Sequence, residues 1–212
     1  MAESVRLYGA RFWVSLALGF GPAAVALMLV ELPRVLVWTL LPTLGTTMWT
    51  LAYIGACRVA LAAGRSHIAI AFSVGFVAFL PLVLQRIVVV PGFDLVTLAY
   101  FALVGLAVPA ALVEGLGFRA ALRRGADLAR ADYVHALGSL ATLVITTFLT
   151  GLVLFFMLRG AGDQAVRVAA FLSLLVLAPL FLLGAALLYV DQSARVQASP
   201  SGSRRTVSKQ GR

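Results

Sequence analysis

The chain has 212 residues, of which 62% are hydrophobic and only 12% charged, and its net charge is +9. A soluble domain carries about 25% charged residues, so a water-covered fold of this size is excluded. The positive residues sit in short segments between long apolar blocks, which is a pattern of membrane orientation rather than of nucleic-acid binding.

The apolar blocks predict an all-α, polytopic membrane protein with about six transmembrane helices. They form a single transmembrane domain over 1–198, and a disordered basic tail is expected over 199–212. The first span, 11–31, is longer than the ~7–15 residues of a signal-peptide core, and is read as a retained span. Gly19, Gly21 and Pro22 lie inside it and predict a kink. The second span, 35–63, follows the Leu32-Pro33 turn and is expected to stop at Gly64. Thr39, Thr43, Thr46, Thr47 and Thr50 give it a hydroxyl-rich side.

The third span covers 68–90. Gln85 and Arg86 lie about one turn from its end, where an arginine snorkels to the interface. The fourth covers 94–113, with Asp94 as the expected N-cap. A polar stretch follows. From 118 to 131, Phe118, Leu122, Gly125 and Ala129 recur at spacings of three and four, with Arg119, Arg123, Asp127 and Arg130 opposite. That pattern predicts a short amphipathic helix at the cytoplasmic interface. Its plainer reading is a linker whose arginines anchor topology; its sharper one is a patch for lipid phosphate or a partner protein. The fifth span, 134–158, carries Ser139, Thr142, Thr146 and Thr150, and the sixth covers 164–190. Hydroxyls at helical spacing are read as close helix packing before they are read as a polar path.

Thirteen of the 17 Lys and Arg residues fall on one side of this topology. The positive-inside rule then puts both termini and the 118–131 helix in the cytoplasm. The arginine-rich, alanine-rich composition suggests a bacterial inner membrane.

Chemistry is sparse. The one cysteine, Cys57, excludes an internal disulfide and a cysteine-rich metal site, and is expected to pack as a small hydrophobe. His67 and His135 are two isolated histidines near span ends, and no metal site is expected from them. There is no His-Glu-x-x-His, phosphate-binding loop or Gly-x-Ser-x-Gly elbow. No catalytic residue and no cofactor are assigned.

One set of residues stands out at span ends. Glu114 closes the fourth span and Asp191 the sixth. Arg123 and Arg124 lie on the helix between the fourth and fifth spans. Carboxylates beside apolar residues need partners, and guanidinium grips them well. Arg124 or Arg123 is therefore expected to pair with Asp191 or Glu114, docking the 118–131 helix on the last span with Tyr189 nearby.

The run Glu114-x-x-Gly117-x-x-x-Ala121-Leu122-x-Arg124-Gly125, then Leu128 and Tyr133, resembles a segment of uncharacterised prokaryotic multi-pass membrane proteins. These are similar to the membrane domain attached to some glycerophosphoryl diester phosphodiesterases. Pro109 precedes Glu114 as in that pattern, and Gly125 stands where serine is usual. The closing Leu-Tyr-x-Asp-x-Arg motif reads Leu188-Tyr189-Val190-Asp191-Gln192, with the arginine displaced to Arg195. The resemblance covers about 108–195. It implies a fold and no agreed activity, and no phosphodiesterase catalytic domain accompanies it here.

The expected function is therefore that of a non-catalytic integral membrane protein: an accessory, scaffold or lipid-interacting module. Its partners would be the bilayer and anionic lipid at the cytoplasmic face, with no nucleic acid. Two competitors are a small-molecule or lipid transporter lined by the hydroxyl stripes, and a lipid-modifying enzyme working with Glu114 or Asp191.

Overall fold

A computed structural model describes residues 2–30, 32–64, 67–85, 90, 92–158 and 162–198. Arg86 and the 199–212 tail lie outside the described residues. The elements in order are α1 (Ala2–Ala10), α2 (Phe12–Val30), α3 (Arg34–Leu40), a π turn (Leu41–Gly45), α4 (Thr46–Leu61), α5 (Ile68–Leu84), α6 (Phe93–Val104), α7 (Ala107–Val113), α8 (Phe118–Ala131), α9 (Tyr133–Leu158) and α10 (Asp163–Ala198). There is no strand among the described residues.

Among the described residues, five stretches are long and apolar enough to cross a membrane: Phe12–Leu29, Arg34–Leu61, Phe93–Val113, Tyr133–Met157 and Arg167–Gln197. The stretch expected as the third span is the shorter apolar helix Ile68–Leu84. Its 17 residues measure about 25 Å, just under the ~30 Å hydrocarbon layer.

Several boundaries differ from the sequence reading. Residues 2–10 form a helix that continues almost into α2, with the Arg11 N–H bonded to the Leu7 carbonyl and the Ser15 N–H to the Arg11 carbonyl. The second span stops at Ala62, which adopts the left-handed conformation, rather than at Gly64. Asp94 makes no side-chain cap and lies within the first turn of α6, behind Gly92. α10 runs eight residues past the expected end because the polar stretch from Asp191 carries no helix breaker.

Proline shapes the bundle in a recurring way. A proline inside a helix has no N–H, so the carbonyl four residues earlier loses its donor. Pro109 frees the Gly105 carbonyl, where α6 gives way to α7, and the buried Tyr53 hydroxyl of α4 donates to it at 3.2 Å. Pro81 frees the Val77 carbonyl, and the Tyr100 hydroxyl donates to that one at 3.1 Å. Pro179 frees the Leu175 carbonyl, and there α2 passes so close at Gly19 that any Cβ would meet that oxygen. In hydrocarbon no water can satisfy such groups. Tyrosines of neighbouring helices do so here for the Gly105 and Val77 carbonyls.

The core centres on these contacts. Tyr53, Phe79, Phe101 and Phe181 pack edge-on or tilted against one another across α4, α5, α6 and α10, with centroids 4.9–6.1 Å apart. α10 packs against α2, α9 and α4 and ties the bundle together. Cys57 is fully buried in this core.

The hydroxyl stripes do not behave as one class. Thr46 and Thr50 are buried, and the Thr50 methyl lies against Gly75 of α5. Thr39 and Thr43 are exposed and bond to their own helix. Thr142, Thr146 and Thr150 are also exposed, each donating to the carbonyl four residues back at 2.8 Å. Close packing of these three against another helix of the chain is thus corrected: their stripe faces outward, and its hydroxyls are spent on the α9 backbone.

Candidate polar site at one end of the bundle

α8 is the element that organises this end. Ala121, Gly125, Leu128 and Ala129 are its buried face, while Arg119, Arg123, Asp127 and Arg130 are exposed. The seam therefore lies slightly round from the expected Phe118–Leu122 line, and Phe118 is 39% exposed. Gly125 explains the shift. A Cβ there would lie 2.6–2.9 Å from Ala107 of α7, mostly from its backbone, so only glycine lets the two helices meet. Leu128, fully buried, contributes roughly 2 kcal/mol to the docking.

The structure brings Glu114, Arg124 and Tyr189 together. Glu114 caps the end of α7. Arg124 Nε donates to both of its carboxylate oxygens, at 3.0 and 3.1 Å. The Tyr189 hydroxyl of α10 donates to Oε1 at 2.7 Å. The side chains of Arg124 and Glu114 are 34% and 29% accessible, so solvent screens this pair and its worth is about 1 kcal/mol. Arg124 can reach because it stands three residues after Ala121 and four before Leu128, on the flank of the buried stripe. Arg123 is a further ~100° round the helix and is exposed.

Asp191 does not join that group. The expected pairing of Asp191 with Arg123 or Arg124 is corrected: its Oδ2 lies 3.0 Å from His135 Nε2 of α9 and 3.0 Å from Arg195 Nε, one turn along α10. Arg195 Nη1 reaches Asp132 Oδ2 at 3.1 Å. Asp132 in turn accepts from the His135 N–H at 3.3 Å, capping the start of α9. The physical reason is proximity. An arginine four residues along the same helix is already beside Asp191, whereas Arg124 is held by Glu114. His135 Nε2 also lies 3.2 Å from Arg195 Nη2. With a proton on Nε2 it donates to Asp191; without one it accepts from Arg195.

Sequence reasoning thus passed over His135, Asp132 and the role of Arg195. The Asp191/Arg195 spacing was a readable signal. The His135–Asp191 contact spans 56 positions and had none. His67 sits at the same end, its ring beside Gly115. Among the described residues, no three His, Cys, Asp or Glu side chains gather to hold a metal ion.

A separate cavity of about 610 Å³, half open, lies among α2, the π turn, α5, α9 and α10. Its walls include Val25, Leu41, Phe79, Phe148, Leu174 and Phe181, and among the described residues no charged side chain lines it.

This chain is an all-α protein whose helices are compatible with a polytopic membrane protein. No family model, curated protein or solved structure matches it.

Proposed function

We propose that the chain is a multi-pass protein of the bacterial inner membrane with six spans, α5 being one of them, and with both termini and α8 in the cytoplasm. In this reading it is a non-catalytic accessory or scaffold module that engages anionic lipid through the outer face of α8. The likeness of 108–195 to the membrane domains of some glycerophosphoryl diester phosphodiesterases belongs to the same proposal. The observation that carries it is the docking of α8. Gly125, Leu128 and the Arg124–Glu114–Tyr189 bonds fix one face to the bundle, which leaves Arg119, Arg123 and Arg130 exposed on the other. Arginines held at that level attract anionic headgroups at roughly 1 kcal/mol each.

The competitors are less well supported. A solute path would want polar walls, whereas the cavity walls are mostly apolar and Thr142, Thr146 and Thr150 of α9 face outward. An enzyme using Glu114 would need a free carboxylate oxygen, and both are engaged.

Reporter fusions after Gly64, Gly92, Gly125, Gly162 and Ser203 should read inside, outside, inside, outside, inside. An outside signal at Gly125 refutes the orientation. Changing Arg119, Arg123 and Arg130 together to Gln should lower retention of phosphatidylglycerol in native mass spectra. Undiminished retention removes the lipid role of α8.

A further inference from the structure

The cavity beside α9 has the length of one bilayer leaflet. α2 and α9 each lie along α10 but, among the described residues, make no extended contact with one another. A slot opens between them with α10 as its floor, and α5 and the π turn complete its walls. The lining runs from Val144 to Phe155 on α9 and from Ala169 to Phe181 on α10. At 1.5 Å per residue these runs measure about 17 and 18 Å, close to the ~15 Å that is half of the hydrocarbon layer. The slot follows the helix axes, which is also the direction of the acyl chains in a bilayer. It lies at the end of α10 remote from Tyr189 and Asp191.

The walls select hydrocarbon. The volume of about 610 Å³ falls within the ~300–1,000 Å³ of sites that hold one small molecule. Water has few partners among such side chains, and an empty slot would forfeit dispersion contacts along its whole length. Small residues keep it open. A Cβ at Gly151 of α9 would meet nothing within 4 Å, and Ala170 and Ser173 face it from α10.

Its polar lining is confined to three side chains: Gln85, Thr147 and Ser173. Ser173 spends its hydroxyl on the Ala169 carbonyl at 2.7 Å. Gln85 is the C-cap of α5, so it marks the rim of the slot and not its depth. The Thr97 hydroxyl donates to Gln85 Oε1 at 2.6 Å, which makes Nε2 the atom that Gln85 offers as a donor. A ligand with a long apolar body and an acceptor at one end matches this arrangement, and an acylated glycerol has that form.

We propose that the slot holds one acyl chain of a phospholipid from the leaflet opposite α8, laid along α9 and α10, with its ester carbonyl accepting from Gln85 Nε2. The site is separate from the exposed face of α8. It rests on the membrane-spanning reading, and neither on which end faces the cytoplasm nor on the α8 arginines.

The test uses a tryptophan already in place. Trp49 lines the slot and stacks on Phe79, whereas Trp13 and Trp38 are 79% and 56% exposed. The full chain with Trp13→Phe and Trp38→Phe keeps Trp49 as its sole tryptophan. Phosphatidylcholine brominated near its chain ends is titrated into this protein in maltoside micelles, with the unbrominated lipid as control. Saturable quenching of Trp49 by half or more is expected. Gly151→Phe fills the slot and should cut the quenching at least threefold. Gln85→Leu keeps the slot but removes the anchor, and should raise the midpoint about threefold, as the loss of one hydrogen bond within a membrane implies. Absence of saturable quenching overturns the proposal, and if the micelles then hold two chains by light scattering, a second copy occupies the slot instead. Equal quenching in Gly151→Phe also overturns it, and an unmoved midpoint in Gln85→Leu overturns the ester contact. Should Gly151→Phe fail to fold, Ala170→Phe narrows the slot from α10 and is read the same way. Each of these failures leaves the fusion pattern and the lipid retention of α8 unchanged, so it is separable from a failure of the proposed function.

Discussion

Tyr53→Phe isolates the way this bundle tolerates proline. The substitution removes one hydroxyl from a fully buried ring and keeps its edge-on and tilted contacts with Phe79 and Phe101, whose centroids lie 5.5 and 6.1 Å away. What is lost is the donor to the Gly105 carbonyl, which Pro109 has deprived of its helical partner. An unsatisfied buried carbonyl costs about 1–3 kcal/mol. Hydrogen bonds measured within membrane proteins average nearer ~0.6 kcal/mol, with a maximum of ~1.7. The bond is 3.2 Å long, at the weak end of the range, so the expected cost is about 1 kcal/mol. Reversible unfolding in mixed micelles measures it. The decisive control is Pro109→Ala, which restores an N–H at position 109. In that background Tyr53→Phe should cost about half as much. An equal cost in both backgrounds would show that the tyrosine acts by something other than capping the freed carbonyl.

Two further outcomes follow from the α8 docking. Gly125→Leu drives a side chain into Ala107. It should cost about 1–3 kcal/mol and raise hydrogen exchange along α8; unchanged exchange would place the docking elsewhere. In double-mutant cycles Arg124→Ala and Glu114→Ala should couple by about 1 kcal/mol, given their partial exposure. Arg124→Ala and Asp191→Ala should add to within ~0.3–0.5 kcal/mol, and strong coupling there would contradict two separate ion networks.

How much of this was legible depends on the range of the interaction. Apolar length marks out the spanning stretches, since nothing else accounts for blocks such as 133–157. The bounds of α8 were readable because a 3.6-residue period needs only local sequence. Its orientation was readable only to within one residue, because Gly125 looks like a weak position in a pattern of apolar side chains, while in three dimensions it is the point of closest approach. The Tyr53–Gly105 and Tyr100–Val77 bonds were not legible. The prolines showed which carbonyls lose their donors, but the tyrosines that serve them lie on other helices, 52 and 23 positions away. The same holds for His135, whose carboxylate partner stands on α10.

The two ion networks divide the work at this end of the bundle by their attachment points. Glu114, Arg124 and Tyr189 join the end of α7 to the middle of α8 and to α10. Asp132, His135, Asp191 and Arg195 join only α9 and α10. α9 also packs along α10, with Leu143 against Gly184. Ala136 and Leu140 near its start are buried, whereas Phe148, Phe156 and Met157 are 52–76% exposed. The second network therefore clamps α9 at one end, and the other end stands off beside the apolar cavity that Phe148, Leu152 and Phe155 help to line. The cavity thus lies at the end of α9 remote from the Asp132–Arg195–Asp191–His135 contacts.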